Sequence, residues 1–318
     1  MSTPVVTVVV PGRDIAPYAG AALDSLRRQT RADWRAVLVD DGSLDGTPAI
    51  FDEAAEADTR FSVVRNERPL GLGAARNLGL DLVDTPFVAF LDADDLFTPT
   101  AIERLVGTLD ASGSDFVAGA YVRLRPVGEE YEPGIVQPWV AAATAPERLG
   151  TTLADHPAAS GNIVAWSKAS RIEFWRRHGL RFPEGRLYED QVLAQQMYTR
   201  ARAFDVIPDV VVHWRERADG SSITQHRERL AVLQDYLDGL RGGLAVLDAA
   251  GAHSASAARV DLILRMDLPP LAGIAARHPD AKYRRLVGSI VRDLLARGDE
   301  PAREESASAE LLRAARLW

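Results

Sequence analysis

Phe87-Val88-Ala89-Phe90-Leu91-Asp92-Ala93-Asp94-Asp95 runs a short apolar stretch directly into three carboxylates. Pro86 bounds the stretch on its N-terminal side. A run this short and this continuous reads as a strand buried on both faces of a parallel sheet. In open α/β sheets, ligands occupy the crevice at the carboxyl ends of the strands. If extended geometry persists past Leu91, Asp92 and Asp94 point the same way, because side chains alternate with a period of two. Carboxylates so grouped repel one another unless a divalent cation neutralises them. Hard oxygen ligands favour Mg²⁺ or Mn²⁺, with a phosphate completing the shell. The competing reading is a strand-to-helix turn in which Asp92 or Asp95 caps a helix opening near Thr98-Pro99.

Composition narrows the classes. A chain of 318 residues suits one large α/β domain with an extension, or two small domains. Apolar residues make up 47% and charged residues 26%, an ordinary globular balance that excludes a disordered or fibrous chain. The formal net charge of −8 argues against a nucleic-acid partner. Residues 226–318 hold 14 basic and 13 acidic side chains, so the acidic excess lies in the first 225 residues, with the acidic motifs. With no cysteine there is no disulfide, thiolate metal site or cysteine nucleophile. Of 37 basic residues only Lys168 and Lys282 are lysines, which reads as coding bias. Val5–Val10 is too short for a signal-peptide core and lacks a basic lead, and no apolar run approaches 18 residues. The expectation is a cytoplasmic protein, with peripheral attachment at the inner face of a membrane as the compatible variant.

Strand-like runs at 5–10, 34–39, 61–64, 87–91 and 116–118 alternate with helix-period segments at 16–28, 45–57, 72–83 and 99–111. This is the βαβ rhythm of a mostly parallel sheet flanked by helices. Residues 121–160 show no long element. Helices are expected near 168–178 and 189–201, and a strand over 204–212. From Gln225 onward only helical patterns remain, broken at Gly242-Gly243, Pro269-Pro270 and Pro279. The expected division is a functional domain over 1–225 and a helical extension over 226–318.

Two further motifs carry chemistry. Val39-Asp40-Asp41-Gly42-Ser43-Leu44-Asp45-Gly46-Thr47 puts two carboxylates at a second strand end, with Ser43 or Asp45 to cap the next helix. A carboxylate there can accept a uracil imide N–H or a ribose hydroxyl; by itself the segment is also an ordinary turn. It is not the D-x-D-G-T of aspartate-nucleophile phosphohydrolases, since Ser43 stands where the nucleophile would be. Asn66–Asn77 holds Gly71-Leu72-Gly73 before a helix, but Arg76 replaces the third small residue of a dinucleotide fingerprint. Gly71 and Gly73 allow close backbone approach. Arg76, early in that helix, either faces a nucleotide or lies on the surface.

Val8-Val9-Val10-Pro11, VDDGSLDGT, GLGAARNLGL and FLDADD stand in the order and spacing that resembles the family-two glycosyltransferases of GT-A fold. The resemblance spans about residues 5–120. It departs at Gly12-Arg13-Asp14, where the family more often has an aromatic followed by Asn. Tyr188-Glu189-Asp190-Gln191 looks like the family's acidic motif beneath the acceptor, and His213-Trp214-Arg215-Glu216-Arg217 followed by Gly220-Ser221-Ser222-Ile223-Thr224 looks like the closing segment of transferases that decorate bacterial surface polymers, wall teichoic acids included.

What the resemblance implies is an inverting, metal-dependent transfer from a nucleotide-diphospho-sugar, UDP favoured, to an acceptor hydroxyl. The acceptor would be a glycan, a polyol-phosphate polymer or a lipid-linked sugar. Asp190 would be the general base, with Glu189 next in line. Asp94 and His213 would hold Mn²⁺ or Mg²⁺, with Asp92 at the ribose and Asp41 at the base. Pro11, Arg76, Arg217 and Ser222 would complete the donor site. The plainer readings are helix-start acids at 189–190, a strand-end His213 and a basic loop. Trp139, Trp166 and Trp175 read as packing before acceptor contacts. A nucleotidyltransferase is disfavoured because Pro11–Tyr18 lacks its Gly-rich loop with Arg and downstream Lys. A processive synthase would carry membrane spans and Q-x-x-R-W. A nucleotide-sugar-binding protein without transfer activity is disfavoured if Asp190 is the base. The C-terminal helices are expected to serve homo-oligomer formation or acceptor docking.

Overall fold

Val6–Gly12 (β1), Trp34–Asp40 (β2), Phe61–Arg65 (β3) and Phe87–Phe90 (β4) form where the apolar runs predict them. Ala16–Arg27 (α1), Thr47–Ala57 (α2) and Leu72–Asp81 (α3) fill the intervals. The computed structural model describes residues 3–128, 130–220, 222, 226–297 and 307–318. These strands pair in parallel in the order β3-β2-β1-β4. Strand alternation sorts the β1 side chains between two cores. Val6, Val8 and Val10 pack with Leu23 of α1 and Phe51 of α2, while Val9 packs with Ala75 and Leu80 of α3 on the other face.

The next elements are Leu96–Phe97 (β5), Ala101–Ser112 (α4), Phe116–Val127 (β6), Glu130–Pro133 (β7), Pro138–Thr144 (α5), Arg148–Thr151 (β8), Lys168–Arg171 (β9), Ile172–His178 (α6), Asp190–Arg200 (α7) and Phe204–Arg215 (β10). They extend the sheet to β3-β2-β1-β4-β9-β6-β10-β5. The sheet is mixed where the rhythm suggested mostly parallel pairing. β9 enters antiparallel between β4 and β6, and β10 runs parallel to β6. Residues 168–171, expected as helix, are this inserted strand, and its partners, 50 to 84 residues away, decide that. The strand expected over 116–118 runs on to Val127 and turns back through β7, so the stretch expected to be irregular carries a hairpin.

The acidic segment also departs from expectation. Asp92–Asp95 is a turn, closed by the Asp95 N–H donating to the Asp92 carbonyl at 2.9 Å. Asp92 and Asp94 therefore do not follow strand alternation. The Leu91 and Ala93 N–H groups still donate to the Val9 and Pro11 carbonyls, so β1 sets the position of the turn.

Leu230–Ala249 (α8), His253–Leu262 (α9), Leu268–Ala275 (α10), Ala281–Leu295 (α11) and Ala307–Ala315 (α12) build the extension. Two expected breaks are absent. Pro269 and Pro270 follow a π-helical turn, Ile263–Asp267, that joins α9 to α10 without interrupting the helical path. Gly242 and Gly243 lie inside α8, where a Cβ on Gly242 would stand 2.8 Å from Val192 Cγ2 of α7. One apolar cluster runs from Val9 and Phe90 of the sheet through Leu193 of α7 to Leu240 of α8 and Ile290 of α11. The apolar faces of the extension are thus largely used on the core shared with residues 1–225.

Leu240 is 1% exposed within that cluster. Leu240→Ala should cost about 2–5 kcal/mol in urea unfolding. Because the core crosses residue 225, the loss should fall on a single transition followed by both fluorescence and circular dichroism; two separated transitions would mean the extension folds apart from the sheet.

Candidate active site

The carboxyl ends of β1, β2 and β4 form one crevice, and short polar side chains fix its loops. The Asp41 N–H donates to the Gly12 carbonyl at 3.0 Å. The Asp41 carboxylate accepts the Asn66 amide at 2.7 Å and the backbone N–H groups of Leu70 and Gly71 at 2.9 and 2.8 Å. It thereby holds the glycine loop in place, with Gly71 at φ +95°, and keeps acceptor capacity mainly on Oδ2. Asp14, at φ +50°, interlocks with the neighbouring turn through Ser43 and Leu44. Asp45 accepts from the first residues of both α1 and α2, Ala16 and Thr47, at 2.9 Å each. Pro11, expected on the donor side, is buried in β1, and its carbonyl takes the Ala93 N–H. Pro11 thereby joins β1 to the acid turn.

Arg76 is the centre of the arrangement. It was expected to face a nucleotide or to lie on the surface, yet it is 1% exposed. Nη2 donates to Asp92 Oδ1 at 2.5 Å, and Nη1 donates to Glu189 Oε1. Burial opposes its charge, but Asp92, Glu189 and Asp190 outweigh burial and raise its pKa. α3 reaches this depth because Gly73 has no Cβ; one built there would stand 2.1 Å from the Pro183 carbonyl oxygen. The next residue, Asn77, clamps the same strand of chain. Its amide donates to the Phe182 carbonyl at 2.9 Å and Glu184 at 2.8 Å, and its oxygen accepts the Phe182 N–H at 2.9 Å. Asn77 was quoted in the motif without a role; its position beside Arg76 was the signal.

Glu189 and Asp190 open α7 after Tyr188, which sits at φ +58°. A non-glycine residue there is strained and persists only where its surroundings hold it. The extension supplies that hold. The Leu187 N–H donates to Asp235 at 3.0 Å, the Tyr188 ring meets Tyr236 with centroids 4.6 Å apart, and buried Arg259 donates to Gln191 at 3.2 Å. Burial raises the Glu189 pKa to about 7 against the pull of Arg76. Burial likewise raises Asp190 and Asp92, with Arg76 opposing in both. Asp95 is buried, accepts the Arg215 N–H at 2.7 Å and stands well above the usual carboxylate range through burial and its acidic neighbours.

Arg217 Nε donates to Asp94 Oδ2 at 2.8 Å. His213 lies opposite Leu96 in the β5·β10 pair, two residues beyond Asp94, and burial lowers its pKa so that the neutral ring prevails near pH 7. Ser222 is half-buried in the following loop; Ser221, Ile223 and Thr224 of that motif lie outside the described residues. Among the described residues no three His, Asp or Glu side chains gather as a complete metal shell. One aspartate with a neighbouring imidazole suits Mg²⁺ or Mn²⁺ held partly by substrate phosphates, and does not suit an all-protein cage. Trp166 and Trp175 are buried packing residues, as the plainer reading had it.

Arg76→Met should strand two carboxylates and cost about 3–5 kcal/mol. The sign in pH follows from Glu189. Its folded pKa already exceeds the unfolded value and would climb further without the guanidinium, so stability falls as pH rises through the folded pKa. Urea unfolding at pH 5 and pH 8 should show the deficit concentrated at pH 8; an equal deficit at both would mean Arg76 is not the countercharge.

Comparison with known proteins follows this geometry. The model described as Glycosyl transferase family 2 matches residues 7–186. The putative glycosyltransferase EpsH of Bacillus subtilis is 29% identical over 241 residues, covering 72% of this chain and 65% of that protein. Among solved structures, S. aureus TarS 1–349 in complex with UDP-GlcNAc superposes with a TM-score of 0.73 at 19% identity, covering 98% of this chain and 87% of that one. The mannosyltransferase PcManGT from Pyrobaculum calidifontis, in complex with GDP-Man and Mn²⁺, gives a TM-score of 0.56 at 20% identity, with 99% and 87% covered. The fold is GT-A. With more than half its length matched, including both acidic strand ends and the Gly71–Asn77 segment, the chain belongs to glycosyl transferase family 2.

Proposed function

We propose that the chain transfers a sugar, with inversion, from a UDP-sugar to an acceptor hydroxyl in a metal-dependent reaction. The observation that carries this is the Arg76 bridge, which links Asp92 at the donor crevice to Glu189 beside Asp190. It brings the acid turn of the crevice and the Asp190 carboxylate into one site.

The acceptor hydroxyl attacks the anomeric carbon from the face opposite the departing diphosphate, and Asp190 takes its proton as charge develops. Burial makes Asp190 a stronger base than a free carboxylate. General-base catalysis of this kind contributes about 10²–10⁴-fold. Asp92 faces the ribose, Asp41 offers Oδ2 to the base, and Arg217 and Ser222 line the diphosphate. When bound, Mn²⁺ or Mg²⁺ held by Asp94 with His213 supplies Lewis-acid charge to the leaving group. No nucleophile of the chain is required. TarS was solved with UDP-GlcNAc, which supports UDP; PcManGT with GDP-Man makes the nucleotide the first thing to test. The acceptor is a glycan, polyol-phosphate polymer or lipid-linked sugar of a cell-surface polymer. Among the described residues no helix is long and apolar enough to cross a membrane.

Nucleotide release across UDP-, GDP- and dTDP-sugars tests the donor. With the responding donor, Asp190→Asn should keep donor affinity while turnover falls about 10²–10⁴-fold. Asn keeps the size and polarity of Asp at this first residue of α7, so turnover within a few-fold of the parent would remove Asp190 as the base. The acid limb of the parent's kcat/KM should lie above the usual carboxylate range, since Asp190 must be ionised and its pKa is raised.

Metal dependence is tested separately. EDTA should abolish turnover, and Mn²⁺ or Mg²⁺ should restore it. Asp94→Ala should do the same irreversibly with little change in melting temperature, because Asp94 lies at the rim of the sheet. Full turnover in EDTA would remove the metal role.

A further inference from the structure

One of the two lysines, in a chain that otherwise uses arginine, is buried where it lines a pocket with Asp190. Lys168, the first residue of β9, is 2% exposed, whereas Lys282 is exposed. Its Nζ donates to the Asn162 carbonyl and Asn162 Oδ1 at 2.8 Å each and to the Val164 carbonyl at 2.7 Å. Three acceptors around one nitrogen match an ammonium, which has three N–H groups and no lone pair to turn on any of them. The planar fork of arginine cannot aim three donors from one nitrogen, so this place requires lysine on geometric grounds. Coding bias explains the arginines; it does not explain this exception.

Lys168 and Asp190 line one pocket, together with Val164 from the loop that Lys168 ties down and with Phe90, Trp175 and Met197. Arg76 of α3 counters the burial of Asp190 more strongly than Lys168 does, but its guanidinium is bonded to Asp92 and Glu189. Asp92 from the acid turn and Glu189 beside the base press Asp190 toward its neutral form, and the Tyr121 phenol of β6 also feels its charge. For Lys168, burial pulls the ammonium down to about 7, and Asp190 is the charge that opposes this. The two groups therefore support each other's ionised forms.

We infer that Lys168 is a positioning residue of the transfer reaction: anchored by Asn162 and Val164, its ammonium shares a pocket with Asp190 and keeps the base ionised. This rests on the reading of Asp190 as the base.

Two measurements test it. With [¹³Cε]lysine the whole chain gives two side-chain signals, and the buried one can be titrated without any substrate. Coupling between charges is reciprocal. Asp190→Asn should therefore lower the Lys168 pKa by about one unit, the lower end of what a nearby opposite charge does. An unchanged titration would overturn the inference. In the second arm, Lys168→Met is assayed for UDP release from UDP-GlcNAc with Mn²⁺ across pH. The acid limb of kcat/KM should move up by about one unit, giving a roughly tenfold loss below the limb that recovers above it. A pH-independent loss that tracks a fall in melting temperature would make Lys168 merely structural and overturn the inference. If the parent protein releases nucleotide from no donor, the transferase reading fails, and the lysine titration still decides whether the two groups are coupled.

Discussion

A buried guanidinium shared between two carboxylates is the constraint on which this site depends. Asp92, Asp94, Asp95, Glu189 and Asp190 come from two segments almost a hundred residues apart and gather in a largely buried crevice. Two like charges 4 Å apart repel by about 4 kcal/mol even at an effective dielectric constant of 20. Arg76 makes the meeting tolerable by donating to Asp92 with one nitrogen and to Glu189 with the other. A lysine would need both carboxylates to close on a single nitrogen, whereas the guanidinium gives each its own. Such a bridge is weak as a source of net stability, since each ion must be desolvated. Its effect is on geometry: it fixes the distance between the donor crevice and the helix that carries the proposed base.

The rest of the crevice is set by side chains that bond backbone. Asp41 gathers the Gly71 loop, Asp45 joins the starts of α1 and α2, and Asn77 grips Phe182 in both directions. Each is a short polar residue whose oxygen satisfies N–H groups that a turn or helix start leaves without partners. Loops held this way sit on rigid strand ends and so keep functional groups in place without secondary structure of their own.

The extension belongs to the same design. A positive φ at Tyr188 throws Glu189 and Asp190 toward Arg76, and such a conformation needs outside support. Asp235, Tyr236 and Arg259 provide it from α8 and α9, while glycines on α8 let the two helices touch. The helices that carry no acidic motif are therefore mechanically joined to the residues that do.

Much of this was legible in the chain. Apolar runs and helix periods located β1–β4 and α1–α3 because those patterns are local and each element buries a face its own residues define. The family resemblance likewise named Asp41, Arg76, Asp92, Asp94 and Asp190 for one site, and of these a direct contact joins Arg76 to Asp92. Three things were not legible. The strand at 168–171 is four residues long and exists through its pairing with β4 and β6. Gly242-Gly243 reads as a helix stop, yet it is the surface on which α7 rests. The alternation that should have aligned Asp92 with Asp94 ends at Leu91, where a turn sends one carboxylate to Arg76 and the other to Arg217. Sequence by itself determined which charges this protein would bring to its strand ends. Tertiary structure alone decided which of them neutralise each other, because a charge buried in a crevice takes its partner from whatever the packing of distant segments places within hydrogen-bond reach.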